Sequence, residues 1–407
     1  MAPRTLEGLP AELLILILFQ VIDRYTLQSV VLASPACHKA YLMIRPELLY
    51  CILQNQYDEK LLPEAVAAIR SKGLDMKNNT EKAIALLDIR RRRKGINGFA
   101  SEPASLEEII ELLHFHKEIH FFLEDYSQNA PRPEWIDPAQ WPTFLPLNLS
   151  NSEKFRFLRA LCRLQTHAYI FGKSEVSIER WYDWPSNDWE YTTLKPEDAW
   201  RLFFGTMLPW EYEEMGCVWS YLMIKYDPVH KEISDSLGNC GVTFFRDLAK
   251  DQRPNSVVIE RVDDLEILSD CTDTLVSIGP RFLYRVLHAN ALLRRNLVMA
   301  NANTEPETWI GPNCGVSADY KFPFLYPADR CNVGSFEELW SATASLEQPN
   351  LGWRVKAVEK FRKEGYFEFA IVESHCDQEW EWGYAIWDGE RLRKWKAPLL
   401  KDERSMS

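Results

Sequence analysis

Paired cysteines at metal-binding spacing are missing from this sequence, as are long apolar runs, phosphate-binding glycine loops and any excess of positive charge. Each absence removes a class of function. The nine cysteines are odd in number and contain no CxxC pair, which argues against a disulfide framework and against a zinc ribbon or knuckle. Reduced thiols of this kind suit a protein of the cytoplasm or nucleus. A net charge of -12 disfavours a polyanion as the main partner, because nucleic-acid binding draws much of its affinity from neutralising phosphates with Lys and Arg; no nucleic-acid partner is expected. Near the start the unbroken apolar run is only Leu13 to Phe19, far short of the ~20 residues a spanning helix needs. No membrane is expected. Nor does the start resemble a secretory leader, which should be basic, since it holds Arg4 against Glu7 and Glu12 with Pro10 at the mouth of the apolar segment. There is no GxxxxGK[ST] loop, no GxGxxG after a strand and no GxSxG elbow, so no catalytic residue, metal or cofactor is expected.

What is present is unevenly distributed. All fifteen tryptophans lie at or beyond Trp135, so the first third and the remainder differ in composition. A chain of 407 residues exceeds what one core usually serves, and its 46% hydrophobic and 26% charged content is that of a globular protein. Two or three structural units are expected.

The first unit reads as short helices. "PAELLILILFQVI" follows Pro10, "TLQSVVLA" begins at Thr26 as N-cap, "SPACHKAYLMI" begins with Ser34 and Pro35, and "PELLYCILQNQY" restarts at Pro46. More than one face of the first of these is apolar, which requires burial in its own core or against a partner. Further helices are expected at Pro63 to Ser71 and Thr80 to Lys94. The basic run Arg90 to Lys94 there suits a helix C-terminus or an import signal. "SLEEIIELLHFHKEIHFFLEDY" opens with a Ser105/Glu108 capping box and carries Ile109, Leu112, His116, Ile119 and Leu123 at helical spacing. A proline- and aromatic-rich stretch from Asn129 to Leu149 predicts a wrapped connection. Helices resume at Ser152 to Phe171, Pro196 to Phe204, Trp210 to Tyr226, Pro280 to Arg295 and Phe336 to Leu346. Near the end, "GYFEFAIVE" and "WEWGYAIWDG" have the aromatic and β-branched content of strands and predict an antiparallel hairpin. The expected class is therefore mainly α, α+β overall, with a small C-terminal β element.

Three clusters invite chemistry. His116 and His120 sit four apart on a helix, as two zinc ligands can, but Lys117 stands where the metalloprotease pattern needs Glu, and a core histidine suits the stripe better. Cys240 and Cys314 each occur in an "NCG" triplet; a nucleophile also needs a base within reach, and His230, His288 and His375 are the available imidazoles. In "ERWYDWPSNDWEY", Trp181, Trp184 and Trp189 stand among carboxylates, either as a cage for a cation or as an anchored loop. They are the candidate substrate contacts.

The segment "LEGLPAELLILILFQVIDRYTLQSVVLASPACHKAYLMI" resembles the F-box. That family begins with a Leu-Pro pair, then an acidic residue, an amphipathic helix, a second leucine-led helix and a third. Here these are Leu9 and Pro10, Glu12, Leu13 to Ile22, Leu27 with Val30 to Leu32, and "ASPACHKAY". Ala40 and Tyr41 stand in the third helix, where many members carry a tryptophan. The phrase "ASPACHKAYL…RPELL" and the ending "WGYAIWDGERLRKW" look like those of fungal F-box-like proteins. The resemblance covers about 45 residues plus the tail. It implies an F-box-like bundle at 1-58; the helix pattern and the tryptophan distribution divide the rest into a helical connecting region at 59-130 and a Trp-rich domain at 131-407, expected to bind a partner. It further implies docking on a Skp-family adaptor, and through it on a cullin, by Leu9, Pro10, Leu13, Ile17 and Leu27. The remainder would then hold a protein substrate for ubiquitin transfer. An F-box-like scaffold outside ubiquitylation, or a small-molecule enzyme with its pocket in the Trp-rich part, are the alternatives.

Overall fold

The computed structural model of the chain describes residues 6–76, 78–91, 103–176, 196–240, 271–302, 348–364 and 380–398. Regular structure among these residues is helical throughout. Helix α1 (Ala11–Leu18) follows Pro10. Helix α2 (Arg24–Ala33) starts earlier than expected, because Asp23 caps it by accepting the N–H groups of Tyr25 and Thr26, both at 2.9 Å. Thr26 instead lies in the first turn and donates its hydroxyl to Asp23 at 2.7 Å. Helix α3 (Pro35–Gln56) joins the two segments expected on either side of Pro46 through a kink at Ile44, φ -126° and ψ 16°. Proline lacks an N–H and crowds the preceding turn, which is why the bend falls just before it.

Helices α4 (Leu62–Arg70), α5 (Thr80–Arg91) and α6 (Leu106–Asn129) follow; Ser105 caps the last as expected, but the Glu108 carboxylate accepts from the Ala104 N–H instead of closing the box on Ser105. The proline-rich stretch then wraps the body with a 3-10 turn at Trp141–Thr143, burying Ile136, Trp141 and Leu147. Helix α7 (Asn151–Ile170) opens on a full capping box between Ser150 and Glu153. After it come α8 (Pro196–Leu202), α9 (Pro209–Ile224), α10 (Asp227–Cys240), α11 (Thr272–Ser277), α12 (Pro280–His288) and α13 (Ala291–Asn301). The single helix expected over Pro280 to Arg295 is broken at Ala289, whose ψ of 151° is extended, and Asn290 caps the second half by accepting the Leu293 N–H. Helices α14 (Leu351–Glu364) and α15 (Gly389–Lys394) complete the set. The expected helix at Phe336 to Leu346 lies outside the described residues.

The β hairpin is a correction. Its first segment, 365–373, lies outside the described residues; its second, from Trp380, is a helical turn and a string of turns leading into α15, and no strand occurs among the described residues. A strand exposes every second side chain to the opposite face, whereas Trp382, Tyr384, Ala385, Ile386 and Trp387 are all buried. A coil satisfies that demand: Gly383 turns the chain at φ 78°, and the Asn350 amide donates to the carbonyls of Tyr384 and Trp387.

Helix α7 is the central element, packed against α4, α6 and α9. Helices α1 and α2 pack on α3, and α3 lies on α6. Buried apolar residues from Leu14 to Ala397 form one continuous cluster. The N-terminal helices therefore share their core with the rest through the α3–α6 seam, where the Tyr57 hydroxyl donates to the Leu112 carbonyl at 2.9 Å.

Candidate functional site

Ten of the fourteen large apolar side chains exposed among the described residues lie between Leu6 and Met43. Single exposed leucines need no explanation, whereas a concentration of this kind calls for one. Helix α1 accounts for its centre. Leu14 and Leu18, four apart, are buried at 3% and 0% and satisfy the core. Leu13, Leu16 and Ile17, related by three and four residues, share the other face and are exposed at 45%, 61% and 38%. Leu9 and Pro10, just ahead of the helix, are exposed as well.

Of the five contact residues expected from sequence, four thus lie at one exposed end of the bundle. Leu27 does not. At 4% exposure it sits on the inner face of α2 with Val31, four residues on, and α2 packs on α3. Sequence reasoning missed Leu16, which follows from the i, i+3 rule applied to Leu13. It also missed Ile22, Tyr25, Leu32, Leu42 and Met43, all exposed; Leu42 and Met43 just precede the bend at Ile44 and had no signal of their own. Trp181, Trp184 and Trp189 lie outside the described residues.

The histidine pair has a structural role. The His116 and His120 rings are stacked with centroids 3.9 Å apart, and His116 Nε2 lies 3.0 Å from the Gln56 carbonyl at the end of α3. Burial, reinforced by the neighbouring His120, pushes the His116 imidazole down to about 4. It therefore stays neutral at pH 7 and serves the same α3–α6 seam as Tyr57, against whose ring it packs edge-on at 5.0 Å. No group of three or more His, Cys, Asp or Glu residues among the described residues could hold a metal ion. Of the suggested thiols and bases, Cys314 and His375 lie outside the described residues, while Cys240 ends α10. His230 is buried against the Tyr226 ring, and His288 is bound through Nδ1 to the Tyr284 carbonyl at 2.8 Å.

Sequence reasoning also missed a buried ionic network on α7. Arg159 forks onto Glu214 at 2.7 and 3.0 Å, Arg163 Nε donates to Glu64 at 2.9 Å, and the Nη1 atoms of both arginines lie within 3.4 Å of Glu211. Burial opposes the Arg163 charge, but Glu211 and Glu64 outweigh it and hold the guanidinium more firmly protonated than usual. Nearby, Arg156 pairs with Asp388 at 2.8 Å and Arg391 with Glu153 at 2.7 Å, tying the C-terminal turns to α7. Carboxylates locked in this way are positioned to hold helices together.

A groove of about 700 Å³ runs beside α6, walled by Leu123, Leu145, Leu147 and Leu149 with His120, Glu124 and Lys154 among its polar groups. Its size falls in the ~300–1,000 Å³ range of ligand-binding clefts. No helix among the described residues is long and apolar enough to cross a membrane. No family model, curated protein or solved structure matches the chain.

Proposed function

We propose that the N-terminal helices act as an F-box, docking on a Skp-family adaptor and through it on a cullin in the cytoplasm or nucleus. The helical, Trp-rich remainder then holds a protein substrate for ubiquitin transfer, with Trp181, Trp184 and Trp189 as candidate contacts. On this account the chain does no covalent chemistry of its own and needs no cofactor; it works by proximity. The supporting observation is the two-faced α1: Leu14 and Leu18 complete the core while Leu13, Leu16 and Ile17 stay exposed beside Leu9 and Pro10. Three exposed branched side chains on one helical face gain nothing in the isolated chain, whereas each can contribute ~1.5–3 kcal/mol when fully buried by a partner. Their positions agree with the Leu-Pro-led motif seen in the sequence.

Coexpression with a Skp-family adaptor, followed by titration calorimetry, tests this. The wild type should bind, and Leu13→Asp with Ile17→Asp should weaken binding by about thirtyfold or more, the scale of central interface residues. Because both side chains are exposed, the variant should keep its melting temperature. A folded wild type that does not bind the adaptor would overturn the proposal.

A further inference from the structure

A second concavity, far smaller than the groove beside α6, lies between the loop after α4, the C-terminal end of α7, residues 173–175 and the start of α12. It measures about 200 Å³, below the ~300 Å³ at which clefts begin to hold whole small molecules. It therefore has room for one functional group. Gly73, Ala168, Ile278 and Phe282 supply apolar wall; Gln165 and Tyr169 come from α7; and Ser174 and Glu175 lie at the exposed rim.

Gln165 is the informative residue. Its side chain is fully buried, and its Oε1 accepts the Arg281 N–H at 2.9 Å, capping the first turn of α12. That bond fixes which end of the carboxamide is oxygen, because the flipped amide would set donor against donor. The other end, Nε2, is then a buried donor with no hydrogen-bond partner. Leaving such a group unpaired is costly, and Gln165 is part of the cleft wall.

Charge decides what kind of acceptor. Lys173, Arg281 and Arg285 line the cleft together with Asp75 and Glu175. Arg285 is already paired with Glu175. Arg281 is forked onto Glu118 and Glu111, both at 2.6 Å, and Lys72 reaches Glu111 at 3.3 Å. Lys173 donates to the Asn301 carbonyl at 2.9 Å, and Asp75 accepts from the N–H and side-chain amide of Asn78 at 2.7 and 2.9 Å. The surroundings balance, so a carboxylate or phosphate meets no net attraction there. A neutral group that accepts from Gln165 and donates to the rim carboxylates fits both observations.

We infer that this cleft binds a primary carboxamide, its carbonyl oxygen accepting the Gln165 Nε2–H and its N–H₂ facing the acidic rim. The group can be the side chain of a glutamine or asparagine in a bound polypeptide, or a free small amide. The inference is independent of the N-terminal docking surface, and its test does not involve the adaptor.

The test uses the full chain with glutamine side chains labelled with ¹⁵N, the Gln165 signal being assigned by its loss in Gln165→Glu or Gln165→Met. Gln165→Glu keeps the acceptor that caps α12 and replaces the free donor with a second carboxylate oxygen, while Gln165→Met removes both without adding charge. Acetamide, N-acetylglutamine methylamide and sodium acetate are titrated in turn, with ligand-detected saturation transfer as a second readout. The expected result is a saturable shift of the Gln165 signal with acetamide but not with acetate, and binding weakened about tenfold in Gln165→Glu, the scale of one hydrogen bond. Tighter binding of N-acetylglutamine methylamide than of acetamide assigns the group to a polypeptide; equal or weaker binding assigns it to a free small amide. No saturable shift with acetamide, as for a cleft that holds only water, would overturn the inference. So would acetate binding as tightly as acetamide.

Discussion

His116 and His230 both have imidazoles pushed down to about 4, in each case by burial first. An unfolded histidine titrates near ~6.5, so between those values the unfolded chain takes up protons that the native protein refuses. The stability held in these neutral rings is complete above pH 6.5 and is lost as the pH falls from there toward 4. Thermal melts at steps between pH 7 and 4 should show this decline, to which His114 and His120, also lowered chiefly by burial, add; His116→Gln, which removes one of these titrating rings, should reduce its steepness. At the same scale, Arg159 and Glu214 form a buried, bidentate pair. Glu214→Gln breaks the fork and leaves Arg159 sharing Glu211 with Arg163, so it should cost about 1–3 kcal/mol, the scale of a buried donor that loses its partner, read as a drop in the urea midpoint at constant m. Little of this was visible beforehand. The arginines of α7 and the glutamates of α9 are separated by some fifty residues in the chain, and nothing in either segment says which charges face each other.

Among the elements, α1 separates folding from binding most cleanly. Leu14→Ala removes a core side chain and should destabilise the protein by about 2–5 kcal/mol, whereas Leu16→Ala, on the exposed face, should stay within about 0.5 kcal/mol of wild type. Guanidinium denaturation of the two variants distinguishes the faces directly. Helix existence was largely legible here: Pro10, Ser34 and Ser105 mark starts read from the sequence, and α4, α6, α7 and α9 lie close to where they were expected; the Ser150 capping box was not read beforehand. The errors have local causes. Asp23 outcompeted Thr26 as the cap because its carboxylate serves two N–H groups at once, and Leu27 went to the core because it shares a face with Val31 where α2 packs on α3. The tail was misread because its aromatic, β-branched content suits a strand, while its consecutive burial requires turns.

For the whole molecule, the continuity of the core from Leu14 to Ala397 is the governing fact. It predicts that the N-terminal helices do not melt alone. Every tryptophan lies at or beyond Trp135, so fluorescence reports only the later part of the chain. Leu53, fully buried in α3, is remote in sequence from all of them. Leu53→Ala should nonetheless lower the fluorescence-monitored unfolding midpoint, by an amount equivalent to about 2–5 kcal/mol; an unchanged midpoint would mean that the bundle and the Trp-rich part unfold separately. By itself the sequence determined the helical class, the apolar excess of the first helix and the missing metal and nucleotide motifs, because each depends on residues within a few turns of one another. Only the tertiary structure decided which face of α1 is spare, that His116 serves the α3–α6 seam, that the tail coils into the core, and that Gln165 holds a free donor over a neutral cleft. Those outcomes depend on which distant segments pack together, and burial, the quantity that sets them, is a property of the assembled core.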